Sequence, residues 1–252
     1  MSGLVRSLAK RMVPYPAYRV ASRAYHSLRR TGRYYDDGYR LDFFGYAFKA
    51  LTFNGIDGDY FEFGCWMAKT FHSAYASSRK HAHACHLYAL DSFCGLPPSS
   101  LAIDDHPKWI AGSMSNGLDK FNALCQSRGI PKSAYTTVSG FYSESLSTPQ
   151  AAALPKNIAF AYVDCDLYTS TVDVLRFLGP RLKHGMILAF DDYYCWSATA
   201  DSGERAAFME FAAANPNWLF VPWLKMPWGG QSFVVFDAAK VKRGTPGLIP
   251  AC

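Results

Sequence analysis

The sequence predicts a doubly wound, mostly parallel α/β sheet that ends on one antiparallel strand. Three observations predict it. From residue 60 onward, short apolar runs alternate with helix-length segments, the pattern of successive βαβ units. One run, Ile158-Ala-Phe-Ala-Tyr-Val163, is near-continuously apolar, as a strand covered on both faces requires. The last two runs, Leu219–Val221 and Ser232–Phe236, have no helix-length segment between them, so they form a hairpin and reverse one strand.

The elements follow in order. Phe43, Phe44, Ala47 and Leu51 recur at helical spacing and predict an amphipathic helix over Leu41–Leu51. Gly55 and Gly58 then break the chain before a first strand at Tyr60–Phe63. Further strands are predicted at His86–Leu90, Tyr135–Val138, Ile158–Val163 and Met186–Phe190. Helices are predicted at Leu118–Arg128, Ser143–Ala153, Ser170–Leu178 and Glu204–Ala214. Cys94–Gly117 fits neither period. It is long, polar and punctuated by Gly and Pro, and it follows the carboxyl end of a strand, where open α/β sheets bind ligands. It reads as a lid over a substrate.

Composition narrows the function. With 252 residues, half of them hydrophobic and 18% charged, the chain can bury a sizeable core. No apolar run approaches the ~20 residues of a membrane-spanning helix. Residues 1–40 hold nine Lys and Arg against two acids, and the rest of the chain is close to neutral. The positive charge therefore belongs to an N-terminal arm, residues 1–54, and not to a folded nucleic-acid-binding face. The arm reads as a solvated helix packed on the domain or on a partner subunit, consistent with a homo-oligomer. A peripheral membrane or polyanion contact is its alternative. Basic residues interrupt the arm too often for a signal peptide. Seven scattered cysteines with no CxxC pair point to a reducing, cytoplasmic setting.

Acidic residues mark the candidate site. Glu62, Asp91, the pair Asp164 and Asp166, and the pair Asp191 and Asp192 all lie at carboxyl ends of predicted strands. A parallel sheet brings those ends to one edge. Six carboxylates crowded there repel one another, and a divalent cation relieves the repulsion. All-oxygen ligands favour magnesium, calcium or manganese. Asp91 occupies the position that holds a ribose hydroxyl in nucleotide-binding folds, and Gly64 allows backbone to approach a ligand. A GxGxxG fingerprint is absent. His81, His83 and His86 are spaced too irregularly for one face and read as exposed loop histidines rather than a transition-metal site. His106 and Trp109 in the lid, and Trp223 and Trp228 near the final hairpin, are candidate substrate contacts.

Four segments carry a family resemblance: Gly58-Asp-Tyr-Phe-Glu-Phe-Gly64, Tyr88-Ala-Leu-Asp-Ser-Phe-Cys-Gly-Leu-Pro97, Val163-Asp-Cys-Asp-Leu-Tyr-Thr-Ser-Thr171 and Gly185-Met-Ile-Leu-Ala-Phe-Asp-Asp-Tyr193. In order and approximate spacing, from about residue 55 to 237, they resemble the macrocin O-methyltransferase family. The resemblance implies a Rossmann-like class I methyltransferase domain over residues 55–252, with S-adenosylmethionine and Mg2+ or another divalent cation as cofactors. It implies a sugar or glycoside acceptor methylated on a hydroxyl. It places Glu62 and Gly64 at the methionine end of the cofactor, Asp91 on the ribose hydroxyls, Ser92 beside the adenine, and Gly140 and Phe141 near the adenine. Asp164, Asp191 and Asp192 match the metal ligands, and Asp166 matches the general base, with its proton affinity lowered by the cation. One departure is Cys65-Trp-Met-Ala-Lys-Thr70, where relatives carry small residues; Lys69 is expected to face solvent. Two rival readings are a catalytically silent nucleotide-fold protein that binds a partner through its arm, and another metal-dependent α/β enzyme, such as a hydrolase. The strand-edge acids argue against the first, and the absence of a GxSxG nucleophile motif against the second.

Overall fold

The computed structural model describes residues 32–196 and 203–241. The chain divides into two units, residues 1–39 and 40–252. Of the first, the described part is the opening of helix α1, Gly32–Phe53. The rest of the basic arm lies outside the described residues, and with it the membrane or polyanion contact considered for the arm. From Arg40 onward α1 belongs to the second unit, so part of what the sequence reading counted as arm is core. Among the described residues, no helix is long and apolar enough to cross a membrane.

The second unit is one seven-stranded sheet. Its strands are β1 Asp59–Phe63, β2 Leu87–Asp91, β3 Tyr135–Ser139, β4 Ile158–Val163, β5 Ile187–Phe190, β6 Trp218–Met226 and β7 Gly230–Asp237. The order is β3-β2-β1-β4-β5-β7-β6. The first five are parallel, and β7 runs antiparallel to both β5 and β6. The topological switch point lies between β1 and β4, and the crevice opens at their carboxyl ends.

Alternation along the strands builds two cores. Tyr60, Phe160 and Tyr162 face α1, where Phe43, Phe44, Ala47, Phe48 and Leu51 are buried. Phe61, Phe63, Val163 and Phe190 face the other side, toward α6, Tyr168–Leu178, and α7, Gly203–Ala214. Removing a ring such as Phe160 from either core costs about 3–5 kcal/mol. Every residue of β4 is buried, as its apolar run requires.

Local chemistry explains where the structure departs from the pattern. Helix α2, Lys69–Lys80, was not assigned from sequence. Its buried positions are Thr70, Phe71, Ala74, Ser77 and Ser78, a helical spacing written in small and polar residues. The helix expected at Ser143–Ala153 is two short ones, α4 Tyr142–Ser145 and α5 Pro149–Ala152, following α3 Leu118–Ser127. Pro149 opens α5, where its missing N–H costs nothing, and Thr148 Oγ1 caps it by accepting the Ala151 N–H at 3.1 Å. Strand β6 extends well beyond Leu219–Val221. Pro222 is tolerated because β6 is an edge strand with an irregularity between Pro222 and Lys225.

The three loop histidines separate. His83 is buried, its Nε2 3.1 Å from Gly58 O, which corrects the exposed-loop reading. His86 Nε2 lies 2.9 Å from Thr136 Oγ1, tying the start of β2 to β3. Both have structural partners.

Candidate active site

Strand register delivers the acids to one edge. The ladder continues one step past the strands: Gly64 N–H donates to Leu90 O at 2.9 Å, Asp164 N–H to Phe63 O at 2.8 Å, and Asp191 N–H to Val163 O at 2.9 Å. Gly64 sits at φ +90, and a Cβ there would lie 1.8 Å from Asp164 O. The glycine thus lets the ends of β1 and β4 come together, a close approach of backbone to backbone rather than to a ligand.

A cleft of about 90 Å³, open to solvent, lies at this edge. Its lining includes Gly64, Asp91, Ser92, Gly140, Phe141, Asp164 and Asp166 from the sequence-predicted set. The Asp91 carboxylate organises the loop after β1. Its Oδ2 accepts the N–H groups of Cys65 at 2.7 Å and Trp66 at 3.2 Å, and its Oδ1 accepts the Phe93 N–H at 2.7 Å. A carboxylate offers about four acceptor positions, so three backbone bonds leave room for one ligand hydroxyl. Ser92 Oγ donates to Gly95 O at 2.7 Å and accepts the Cys94 N–H at 3.0 Å, shaping the turn that follows. Gly140 N–H donates to Asp91 O at 3.1 Å, so the ends of β2 and β3 are fixed together.

Glu62 does not line the cleft. Strand alternation turns it toward α2, where it is fully buried. Thr70 Oγ1 donates to its Oε1 at 2.7 Å and the Tyr60 hydroxyl donates to its Oε2. Burial pushes its carboxyl up to about 8 against the opposing effect of those two hydroxyls.

Beside the cleft, Asp164, Asp191 and Asp192 bring carboxylate oxygens within 4.8 Å of one another, the one such group of ligand atoms among the described residues. Burial, then Asp191, Asp192 and Asp166, hold the Asp164 carboxyl well above the usual range. Asp191 is also raised, by burial first, with Arg40 pulling the other way. Asp191 has three donors: Arg40 Nη2 at 2.8 Å on Oδ2, with Trp228 Nε1 at 2.5 Å and the Tyr162 hydroxyl on Oδ1. Asp166 follows Asp164 after a turn and adopts φ +63. Burial, then Asp192, raise its proton affinity, opposite to the lowering expected beside a cation. A cation bound at the cluster would oppose the carboxylate repulsion that contributes to this shift.

The segment expected to be a lid borders the cleft and is hydrogen-bonded at several points. Asp104 is buried in the 3₁₀ turn Ala102–Asp104 and accepts from Ser99 Oγ at 2.7 Å and Thr169 Oγ1 at 2.8 Å. Leu96 pairs with Gly112 at 2.9 Å and with Ser113 at 3.0 Å. Leu96, Pro97 and Met114 line the cleft. His106 and Trp109 stack on each other with ring centroids 4.0 Å apart. Lys69 is exposed, as expected.

A family model described as Macrocin-O-methyltransferase (TylF) matches residues 36–215. The chain belongs to this family. A relative of this macrocin O-methyltransferase family chain is the 8-demethyl-8-(2,3-dimethoxy-alpha-L-rhamnosyl)-tetracenomycin-C 4'-O-methyltransferase of Streptomyces olivaceus. It is 29% identical over 160 residues, which cover 61% of this chain and 60% of that protein. The match thus spans about 60% of the relative's length. The O-methyltransferase NovP structure superposes with a TM-score of 0.67 at 19% identity, over 78% of this chain and 79% of NovP. The calicheamicin methyltransferase CalS11 gives 0.66 at 20% identity, over 91% and 90% of the two chains. Both likenesses are of fold.

This macrocin O-methyltransferase family chain also places residues at the edge that sequence reasoning missed. Glu204, fully buried at the start of α7, accepts the Cys165 N–H at 3.1 Å and the Asp192 N–H at 2.9 Å. Its signal was an acid in the first turn of a predicted helix, which is ordinarily read as a dipole contact. Arg40 belongs by sequence to the basic arm. Trp228, a candidate substrate contact by sequence, donates Nε1 to Asp191.

Proposed function

We propose that this chain transfers a methyl group from S-adenosylmethionine to a hydroxyl of a sugar or glycosylated metabolite, with a divalent cation held at the strand edge. One observation carries the reading: Asp164 belongs both to the wall of the cleft and to the three-carboxylate cluster. Cofactor site and cation site therefore adjoin. The donor set fits the cation, because three carboxylates bring oxygens within 4.8 Å of one another, with burial and mutual repulsion raising the proton affinity of Asp164, and oxygen-only ligands suit magnesium. The cleft fits the cofactor, with a strand-end carboxylate that retains one acceptor position and apolar walls from Leu96, Met114 and Phe141.

When bound, the cofactor supplies an electrophilic methyl group and the cation lowers the pKa of an acceptor hydroxyl. The remaining roles fall to the chain. Asp164, Asp191 and Asp192 would hold the ion. Asp91 would hold a ribose hydroxyl and keep the loop after β1 in shape. Ser92, Gly140 and Phe141 would border the nucleoside. Asp166 would accept the proton that the acceptor hydroxyl loses, once a bound cation offsets the burial and the Asp192 repulsion that otherwise favour its protonated form. The pinned segment 94–117 would exclude water and align oxygen with methyl, the larger part of catalysis by positioning. The tetracenomycin relative is named for a dimethoxyrhamnosyl substrate, so neutral 6-deoxysugar glycosides are the first acceptors to try.

The test is methyl transfer itself. Purified protein, S-adenosylmethionine and a panel of rhamnosides should give a product heavier by one methylene by mass spectrometry. Chelation should abolish it and magnesium restore it. Transfer that survives rigorous chelation would remove the cation from the mechanism.

A further inference from the structure

Arg40 reaches the acidic edge from helix α1. Its Nη2 donates to Asp191 Oδ2 at 2.8 Å, and its guanidinium lies over the Trp228 indole, 4.6 Å from the ring centroid. The same indole donates Nε1 to the other oxygen of Asp191 at 2.5 Å. Arginine and tryptophan therefore clamp one carboxylate from two directions. The Asp191 side chain is 5% exposed and the Arg40 side chain 25%, so water screens the pair only in part. Asp164 and Asp192 bring carboxylate oxygens within 4.8 Å of those of Asp191, so the guanidinium lies beside the whole cluster. The charge of Arg40 therefore bears on Asp164 and Asp192 as well as on Asp191.

The pair also stands beside the place where the cluster would take a divalent cation. Resting on the cation reading above, we propose that Arg40 is the resident counter-charge of the Asp164–Asp191–Asp192 cluster. It holds Asp191 in place when no divalent ion is bound, and by repulsion it limits how tightly the ion binds. The consequence is a site that stays folded without metal and takes the ion reversibly. Like charges that share one carboxylate in a partly screened site repel strongly enough to alter affinity by an order of magnitude or more.

The experiment compares Arg40→Gln with the wild-type chain. Gln keeps a donor for Asp191 and removes the charge; Arg40→Lys keeps the charge. Mn2+ binding is titrated by electron paramagnetic resonance of the free ion, and thermal unfolding is followed in chelator and in saturating Mn2+. We expect Arg40→Gln to bind Mn2+ roughly tenfold or more tighter. It should melt below the wild type in chelator, with the gap narrowing in Mn2+. Arg40→Lys should stay near wild-type affinity. A folded Arg40→Gln with unchanged or weaker Mn2+ binding overturns the proposal. Should Arg40→Gln not fold, phenylglyoxal labelling of wild-type Arg40, read by mass spectrometry, should rise on adding Mn2+; unchanged labelling also overturns it. Absence of Mn2+ binding in every protein overturns the cation reading itself, a distinguishable result.

Discussion

Glu204 and Asp192 are twelve residues apart, and the Glu204 Oε2 accepts the Asp192 backbone N–H at 2.9 Å. The other oxygen accepts the Cys165 N–H at 3.1 Å. One buried carboxylate thereby joins the loops after β4 and β5, which carry Asp164, Asp166, Asp191 and Asp192. Gly203 makes this approach possible, since a Cβ there would lie 2.5 Å from Asp166 O.

Glu204→Ala should orphan the buried Cys165 N–H, at roughly 1–3 kcal/mol, and the half-buried Asp192 N–H at less. A lowered melting temperature and weaker Mn2+ binding are the expected results, by calorimetry and metal titration. Wild-type stability in this variant would mean that water or a nearby group replaces the carboxylate without cost.

Asp91→Asn tests the division of labour at the end of β2. The amide keeps one oxygen for three backbone donors, so the loop Cys65–Trp66 should loosen as the proposed ribose contact is lost. Cofactor binding should weaken by roughly 1.5–3 kcal/mol, measured by titration calorimetry, and the melting temperature should fall as well. Weaker binding with unaltered stability would leave the ligand contact and remove the loop role.

Asp166→Asn should retain the fold, because Asn tolerates the positive φ that Asp166 adopts. It cannot accept a proton. Turnover should fall by about 10²–10⁴ with cofactor and Mn2+ still bound. A variant that loses Mn2+ instead would show that Asp166 is a ligand, and the base would have to be sought elsewhere.

Glu62 predicts a pH dependence of stability. Burial raises its carboxyl to about 8, so the folded chain binds a proton that the unfolded chain releases near pH 4.5. Stability contributed by this group is therefore greatest at low pH and is lost as pH rises through about 8, with a slope of up to about 1.4 kcal/mol per pH unit. Glu62→Gln keeps a partner for both hydroxyls and does not titrate. Melting temperatures of the two proteins should diverge between pH 5 and 8, with the variant the more stable at the upper end. Parallel curves would mean that Glu62 is ionised in the folded protein despite its burial.

Much of this chain was legible before its structure. Apolar runs located the strands, because a strand covered on both faces has no alternative composition, and Ile158–Val163 is buried at every position as read. The strand-edge acids followed from parallel topology, and the motifs around Glu62, Asp91, Asp164 and Asp191 identified the family. Tertiary structure decided the rest. Helix α2 escaped because its buried face is largely small and polar. Glu62 could not be separated from the edge acids, since only strand alternation against Thr70 shows which way it points. Arg40, Asp104 and Glu204 find their partners 151, 65 and 39 residues away in sequence. Periodicity reports whether a residue is buried against its neighbours along the chain. What compensates a buried charge is set by which distant segment the topology brings alongside it.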